Sequence, residues 1–191
     1  MSSWERGILT EIVLPEERSI SDSVEMLVHE HARMVFKIAY SVLRQHADAE
    51  DVTQDVFVRV MRHAKELDRV RNQKAWVAKI AWRTTLDRAK RRNRPQEDGE
   101  ALLNQLQAEG IDIDERLAEE QRVQLLRAMI ATLPRDLREP LVLSTVDEMS
   151  NADIADVLGI PEASVRTRMA RARDMLRQKL QALSKGNRDE H

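Results

Sequence analysis

The chain contains no cysteine and few of the residues that build turns and strands. Its 191 residues include only 5 Gly, 5 Pro, 3 Trp, 1 Tyr and 2 Phe. Without cysteine, the chain has no disulfide framework, thiol nucleophile or zinc–thiolate site, and a reducing cytoplasm is its expected setting. The scarcity of turn residues and aromatics, together with abundant Ala, Leu, Arg and Glu, predicts an all-α fold.

Long hydrophobic runs and catalytic motifs are also missing. The longest uncharged run, Ala101–Ala108, is well short of the roughly 18 residues that a membrane span needs, and acidic residues interrupt the N-terminal segment, unlike a signal peptide. The five histidines are scattered, and His29 and His31 lack the i, i+4 spacing of a zinc helix. No glycine-rich phosphate loop is present. We therefore predict no membrane insertion, metal, cofactor or enzymatic activity.

The net charge of −2 is small, but charge is strongly sorted along the chain. Residues 83–94 carry six basic side chains and one acid, and residues 166–179 have the same balance. Between these segments, residues 95–120 hold nine acids and a single base, Arg116. Two basic segments separated by an acidic spacer suggest two separate contacts with a polyanion, although two solvated helical faces would show the same pattern.

The segment Met149–Lys179 has the pattern of a helix-turn-helix. Ser150 and Asp153 have the spacing of a capping box, Gly159 suits the left-handed residue that ends a helix, and Pro161 suits the start of the next helix. The second helix has an apolar stripe at helical spacing, which consists of Val165, Met169, Ala172, Leu176 and Leu180. Arginines beside this stripe suit the major groove of DNA, while an ordinary helical hairpin with solvated arginines is the alternative.

Periodicity divides the chain into two small helical domains joined by a flexible acidic linker. We predict an N-terminal tail (1–19), a first domain (20–94), a linker (95–119), a second domain (120–183) and a C-terminal tail (184–191). The first domain contains helices from about Asp22 to Arg44, from a cap at Asp48 onward, and from about Lys74 to Arg92. In the linker, a short helix is expected around Leu102–Ala108.

Two stretches resemble the sigma-70-type extracytoplasmic-function sigma factors of bacterial RNA polymerase. DAEDVTQDVFVRV (Asp48–Val60) and AWVAKIAWRTTLDRAKRRNR (Ala75–Arg94) are similar to region two of that family. IATLPRDLREPLVLSTVDEMSNADIADVLGIPEASVRTRMARARDMLR (Ile130–Arg177) is similar to its region four. The resemblance implies a subunit that binds core RNA polymerase and directs it to a class of promoters.

For the first domain, the resemblance implies two interfaces. The polymerase would be bound by the start of the second helix, through Asp48, Glu50, Asp51, Gln54 and Asp55. Asp48 and Asp51 also suit plain helix capping, so Gln54 and Asp55 are preferred as polymerase contacts. The −10 element would be bound by a base-capturing loop and by a basic helix end that grips phosphates: Arg69, Arg71, Asn72 and Gln73 in the loop, then Arg88, Lys90, Arg91 and Arg92.

For the second domain, the resemblance implies major-groove recognition of the −35 element. The expected contacts are Ser164, Arg166, Thr167, Ala170, Arg171 and Arg173, with Arg166 and Arg171 as the leading base readers. Trp82 departs from the family's usual small polar pair at this position. It is either a core residue or a side chain that stacks on an exposed base.

Three partners follow from the resemblance: core RNA polymerase, promoter DNA and an anti-sigma factor that holds the protein inactive. Two other function classes remain as alternatives. A helix-turn-helix regulator would use only the second domain and would not be a polymerase subunit. An enzyme is disfavoured, because no catalytic constellation is visible.

Overall fold

The computed structural model describes residues 15–91, 99–108, 119–146 and 149–189, and these ranges contain helices and no strand. The N-terminal half contains α1 (Pro15–Leu43), α2 (His46–Arg62), a short 3-10 helix (Ala64–Arg69) and α3 (Gln73–Arg91). The C-terminal half contains α4 (Gly99–Ala108), α5 (Glu119–Ala131), α6 (Arg135–Ser144), α7 (Asn151–Leu158) and α8 (Glu162–Asp189). The all-α prediction is confirmed.

Helices α1, α2 and α3 pack on one another around a single apolar core. The core positions recur every three or four residues because that spacing places side chains on one face of a helix. Fully buried members include Val35 and Ile38 of α1, Val52 and Val56 of α2, and Val77 of α3. Burial of each such side chain contributes about 1.5–3 kcal/mol, so this bundle holds the surfaces of α2 and α3 in fixed orientation.

Two predicted helix starts are wrong. Helix α1 begins at Pro15, within the predicted tail, because proline is favourable at a helix start, where its missing amide would have no partner within the helix. Helix α2 begins at His46 with Gln45 at the N-cap, so Asp48 lies in the first turn of the helix and is not the N-cap residue that the sequence pattern predicted.

The short helix predicted in the linker is α4, and it packs against α5. Leu103 of α4 joins Leu125, Ala128 and Met129 of α5 in a separate apolar cluster. The first residue of α4 is Gly99, and a Cβ added there would lie 2.5 Å from the backbone nitrogen of Thr132. Only glycine lets the start of α4 approach the end of α5 this closely.

Replacing Gly99 with alanine is expected to lower the free energy of unfolding by about 1–3 kcal/mol, because backbone atoms have to move apart to admit the methyl group. Urea denaturation followed by circular dichroism measures the effect. Asn104→Ala is the control, since Asn104 is exposed on the same helix and alanine is a good helix former. Equal stability of the two variants would contradict the close approach.

Helices α6, α7 and α8 complete the C-terminal half, with α6 and α7 both packed on α8. Leu143 of α6, Ile154 of α7 and Val165 of α8 are fully buried. The predicted stripe of α8 is buried at Val165, Met169 and Ala172, and exposed at Leu180. A second small cluster joins α6 to α8 through Leu133, Leu137, Leu141 and Ala172.

The two halves of the molecule also touch each other. Helix α3 of the N-terminal half packs against α7 of the C-terminal half, and core residues of both halves belong to one continuous apolar cluster. Sequence periodicity indicated two domains joined by a linker, and it contained no signal for this contact.

Candidate nucleic-acid and polymerase interfaces

The helix-turn-helix forms as its local sequence predicts. The Ser150 hydroxyl accepts a hydrogen bond from the Asp153 amide at 3.1 Å, and the Asp153 carboxylate accepts one from the Ser150 amide at 3.0 Å. Gly159 ends α7 in the left-handed conformation, with φ of 67°. Pro161 lies one residue before α8, and its carbonyl accepts the amide of Val165 at 3.2 Å. These caps fix where α8 begins and hence which residues lie in its first turns.

The residues predicted to read the −35 element lie in the first turns of α8, outside its buried stripe. Five of them are exposed and Ser164 is half-buried: Arg166, Thr167, Ala170, Arg171 and Arg173 are the exposed ones. Arg166 forms an ion pair with Glu162 one turn earlier, and the Thr167 hydroxyl donates to the Ala163 carbonyl at 3.0 Å. Within the part of the chain that the structure describes, Arg171 has no ion-pair partner. Its guanidinium is therefore available for an external acceptor.

The loop predicted to capture a −10 base connects the 3-10 helix to α3. Arg69, Arg71 and Gln73 are exposed, and Asn72 is half-buried. The Asn72 side-chain oxygen accepts the Ala75 amide at 3.0 Å, which caps the start of α3. The loop therefore ends in a well-defined geometry.

The amide nitrogen of Asn72 is engaged by the other half of the molecule. It donates to the Asp153 carboxylate of α7 at 2.8 Å, and the Lys74 ammonium lies 3.5 Å from the same carboxylate. Burial acts to raise the pKa of Asp153, but hydrogen bonds from Asn72 and Ser150 and the charge of Lys74 outweigh it, so the pKa lies below its usual range. Asp153 is therefore ionised at neutral pH. Its carboxylate accepts hydrogen bonds from Ser150 in its own helix cap and from Asn72 in the other half of the molecule.

The basic end of α3 divides into paired and exposed side chains. The Arg88 guanidinium lies 2.7 Å from the Asp51 carboxylate and 3.4 Å from that of Asp48, so it holds α3 to the start of α2. Lys90 and Arg91 are exposed, and Arg92 lies outside the described residues. The structure thus favours Lys90 and Arg91 over Arg88 for phosphate contacts.

The residues predicted to bind polymerase also separate by exposure. Asp48 is 1% exposed beside Arg88, which makes it a poor candidate for a direct contact with another protein. Glu50 is exposed, and its carboxylate oxygen lies 3.2 Å from Nδ1 of His46. Asp51, Gln54 and Asp55 are exposed along the outer side of α2.

Two apolar residues extend this acidic surface and were not predicted from the sequence. Val58 and Met61 are 40% and 54% exposed, and they continue the same face of α2 at steps of three and four residues. We name the set the outer stripe of α2: Asp51, Gln54, Asp55, Val58 and Met61. Apolar residues exposed beside charged ones are typical of a protein-binding surface, and their helical spacing relative to Asp51 was the available signal.

Trp82 is a core residue. It is 5% exposed and belongs to the main apolar cluster. Trp82 also lines a cleft of about 350 Å³ between the two halves, which is bordered by the ends of α1 and α3 and by α5 and α6. Arg44, Lys90, Arg127 and Arg138 also line this cleft, and burial lowers the pKa of Arg138.

No helix in the described ranges is long and apolar enough to cross a membrane. Likewise, those ranges contain no group of three or more His, Cys, Asp or Glu side chains placed to hold a metal ion.

Comparison with known proteins places the chain in a family. The model of Sigma-70 region 2 matches residues 27–95, and that of Sigma-70, region 4 matches residues 123–176. The ECF RNA polymerase sigma-E factor of Escherichia coli (strain K12) is 31% identical, over 92% of this chain and 96% of its own. The ECF RNA polymerase sigma factor SigW of Bacillus subtilis (strain 168) is 27% identical, over 85% of this chain and 91% of its own.

The chain belongs to the ECF sigma factors. A solved structure of CnrH in complex with the cytosolic domain of CnrY has the same fold, with a TM-score of 0.60, 25% identity and coverage of 86% of this chain and 94% of CnrH. The sigma factor RpoE of Bartonella quintana, solved in complex with the anti-sigma factor NepR, shares the fold at a TM-score of 0.55 and 22% identity, over 84% of this chain and 98% of its own.

In this ECF sigma factor, the two matched regions contain the exposed residues predicted to bind polymerase and promoter DNA. Region 2 includes the outer stripe of α2, the loop before α3 and the basic end of α3. Region 4 includes the capped helix α7 and the first turns of α8. The contact between Asn72 and Asp153 joins region 2 to region 4.

Proposed function

We propose that this chain is the promoter-specificity subunit of a bacterial RNA polymerase and acts in the cytoplasm, without catalytic activity of its own. The observation that supports this most directly is that regions 2 and 4 match in order on one chain. A helix-turn-helix regulator would have no use for region 2, with its acidic outer stripe and basic helix end.

Core polymerase is bound by the outer stripe of α2. Its exposed part combines the carboxylates of Asp51 and Asp55 and the amide of Gln54 with the apolar side chains of Val58 and Met61. Such a surface fits a partner that offers basic groups around an apolar centre. Glu50 is placed at the rim, and buried Asp48 supports the surface through Arg88.

The −10 element is bound by the loop before α3 and the end of that helix. Arg69, Arg71, Asn72 and Gln73 offer donors and acceptors to the edges of an unstacked base. Exposed Lys90 and Arg91, together with Arg92, bind backbone phosphates and set position. Trp82 takes no part in stacking, because its ring lies within the core.

The −35 element is read by α8 from the major groove, where a recognition helix presents its N-terminal residues to base edges. Arg171 and Arg166 are the base readers, and Ser164, Thr167, Ala170 and Arg173 complete the contact surface. Arg166 has to leave Glu162 to bind DNA, since the two side chains form an ion pair. Arg171 has no such competitor among the described residues and is the stronger candidate.

Regulation by an anti-sigma factor is part of the proposal. CnrH was solved with the cytosolic domain of CnrY, and RpoE of Bartonella quintana with NepR. The apolar cleft between the two halves, with arginines at its edge, has the chemistry to accept an acidic amphipathic segment of such a partner. Pull-down from the native host is expected to recover an inhibitor with an acidic helix.

Transcription from a randomised promoter library tests the function. Core polymerase free of sigma factor is supplied with or without this protein, and the new transcripts are sequenced. Transcripts that depend on the protein and share two motifs at fixed spacing are expected. Binding of DNA without binding of core polymerase would instead favour the helix-turn-helix regulator.

Arg171→Ala is expected to reduce transcription about 5- to 100-fold at promoters with the cognate −35 sequence, because a bidentate arginine–guanine contact contributes about 1–3 kcal/mol of discrimination. Promoters with a substituted −35 guanine provide the comparison, and the variant should lose little there. Arg177→Ala is the control, since Arg177 pairs with Asp174 at 2.8 Å further along α8. An equal loss at every promoter would make Arg171 a phosphate contact.

A further inference from the structure

The two promoter-reading units are hydrogen-bonded to each other. The Asn72 amide belongs to the −10 loop, and Asp153 belongs to the first helix of the helix-turn-helix, 81 residues later. Their side chains meet at 2.8 Å, and Lys74 adds a positive charge 3.5 Å from the same carboxylate. The Asp153 side chain is only 11% exposed, so water competes little for this contact.

Both partners are held in place by helix caps. The Asn72 oxygen caps α3 through the Ala75 amide at 3.0 Å, which leaves its NH2 group directed at Asp153. One oxygen of Asp153 accepts from the Ser150 amide and hydroxyl at 3.0 and 2.8 Å, and the other accepts from Asn72. Because the caps already orient the two side chains, little entropy is lost when they pair.

The contact is supported by apolar packing of α3 on α7. Asp153 itself supplies a charge-assisted hydrogen bond, which is stronger than a neutral one. Apolar burial has no preferred direction. The hydrogen bond between Asn72 and Asp153 therefore fixes how α3 and α7 are aligned against each other.

This arrangement is incompatible with a complete promoter complex. Centres of the −10 and −35 elements lie about 25 base pairs apart, or roughly 85 Å along duplex DNA. A chain whose −10 loop is hydrogen-bonded to its −35-reading unit cannot span that distance. In this state the arginines of α8 stay exposed, whereas Asn72 is occupied.

We propose that Asp153 is a latch that holds region 4 on the −10 loop of the free protein, and that core polymerase opens it. The proposal rests on the proposed function, since it assigns the closed state to the free subunit and the open state to the holoenzyme. Closure keeps Asn72 from bases until polymerase separates the two regions.

Energy transfer between two fluorophores on the full-length chain tests the latch. The chain has no cysteine, so Glu30→Cys on α1 and Gln178→Cys on α8 provide unique labelling positions at exposed residues. Asn72→Asp keeps the cap of α3, because aspartate is a good N-cap, but it places a carboxylate against that of Asp153. The ratio of open to closed protein is expected to rise about tenfold or more, with a fall in transfer efficiency.

Gln73→Glu is the matched control, since it makes the same change from amide to carboxylate at the next, exposed residue. The double variant Asn72→Asp/Asp153→Asn reverses the pair. Its new amide at position 153 donates to the new carboxylate at position 72, while the amide oxygen still accepts from Ser150. This swap should restore the transfer efficiency of the original protein. Circular dichroism confirms that each variant is folded.

Three results would overturn the latch. They are equal transfer efficiency in Asn72→Asp and Gln73→Glu, failure of the swap to restore closure, and unchanged efficiency of the original protein with saturating core polymerase. Transcription with core polymerase is measured on the labelled protein that keeps Asn72 and Gln73, because both residues belong to the proposed −10 surface. Absence of transcription with normal latch behaviour contradicts the proposed function, whereas normal transcription without a closed state contradicts only the latch.

Discussion

Trp82→Ala is expected to lower the free energy of unfolding by about 3–5 kcal/mol, the usual cost of removing a large aromatic side chain from a core. Trp82 is 5% exposed and joins the core of the α1–α3 bundle. Because a small domain is stable by only about 5–15 kcal/mol, the variant should lose much of its resistance to urea. Circular dichroism during urea titration measures the change.

Trp82→Phe is the matched control for this prediction. It retains an aromatic ring and most of the buried area, and should lose less than half as much stability. A base-stacking role would give the opposite pattern, in which Trp82→Ala is as stable as the original protein but fails to open promoters. That outcome would mean that the ring leaves the core in the polymerase complex.

Asp55→Lys is expected to weaken binding to core polymerase about 10- to 100-fold, with a matching loss of transcription at limiting concentrations of the protein. Asp55 is exposed in the middle of the outer stripe of α2. A lysine there would face the basic groups that we expect on the partner, and like charges across an interface are strongly unfavourable. Fluorescence anisotropy of the labelled protein with increasing core polymerase measures the affinity.

Glu25→Lys is the control, because Glu25 is an exposed acid on α1 and the substitution changes the net charge equally. Met61→Ala provides a second test, since it removes apolar area from the stripe without changing charge. It should weaken binding while leaving the salt dependence unaltered. Equal affinities for Asp55→Lys and Glu25→Lys would show that polymerase docks elsewhere.

Local features were largely predictable from the sequence. The capping box of Ser150 and Asp153 and the left-handed Gly159 occur as predicted, because each depends only on residues within one turn. The short helix in the linker was expected at Leu102–Ala108 and is found from Gly99. The start of α1 differs from the prediction, because Pro15 suggests a helix break although proline is favourable at a helix start.

Roles that depend on distant partners were less predictable. Asp48 has the sequence pattern of a cap and a polymerase contact, but burial beside Arg88, 40 residues away, makes it structural support for α2. Arg88 was predicted with the other phosphate-binding residues at the end of α3, yet its guanidinium pairs with Asp51 and Asp48. Both outcomes depend on how α2 and α3 pack against each other, which the sequence pattern of either helix does not show.

The sequence by itself determined the all-α fold, the caps of the helix-turn-helix and the resemblance to regions 2 and 4 of a sigma factor, since periodicity and capping are short-range properties of the chain. Only the tertiary structure decided that Trp82 is core and that Val58 and Met61 extend the acidic stripe. It alone brought Asn72 to Asp153 across 81 residues. Burial and hydrogen bonding between distant segments depend on how helices pack, and the spacing of residues along one helix carries no information about that.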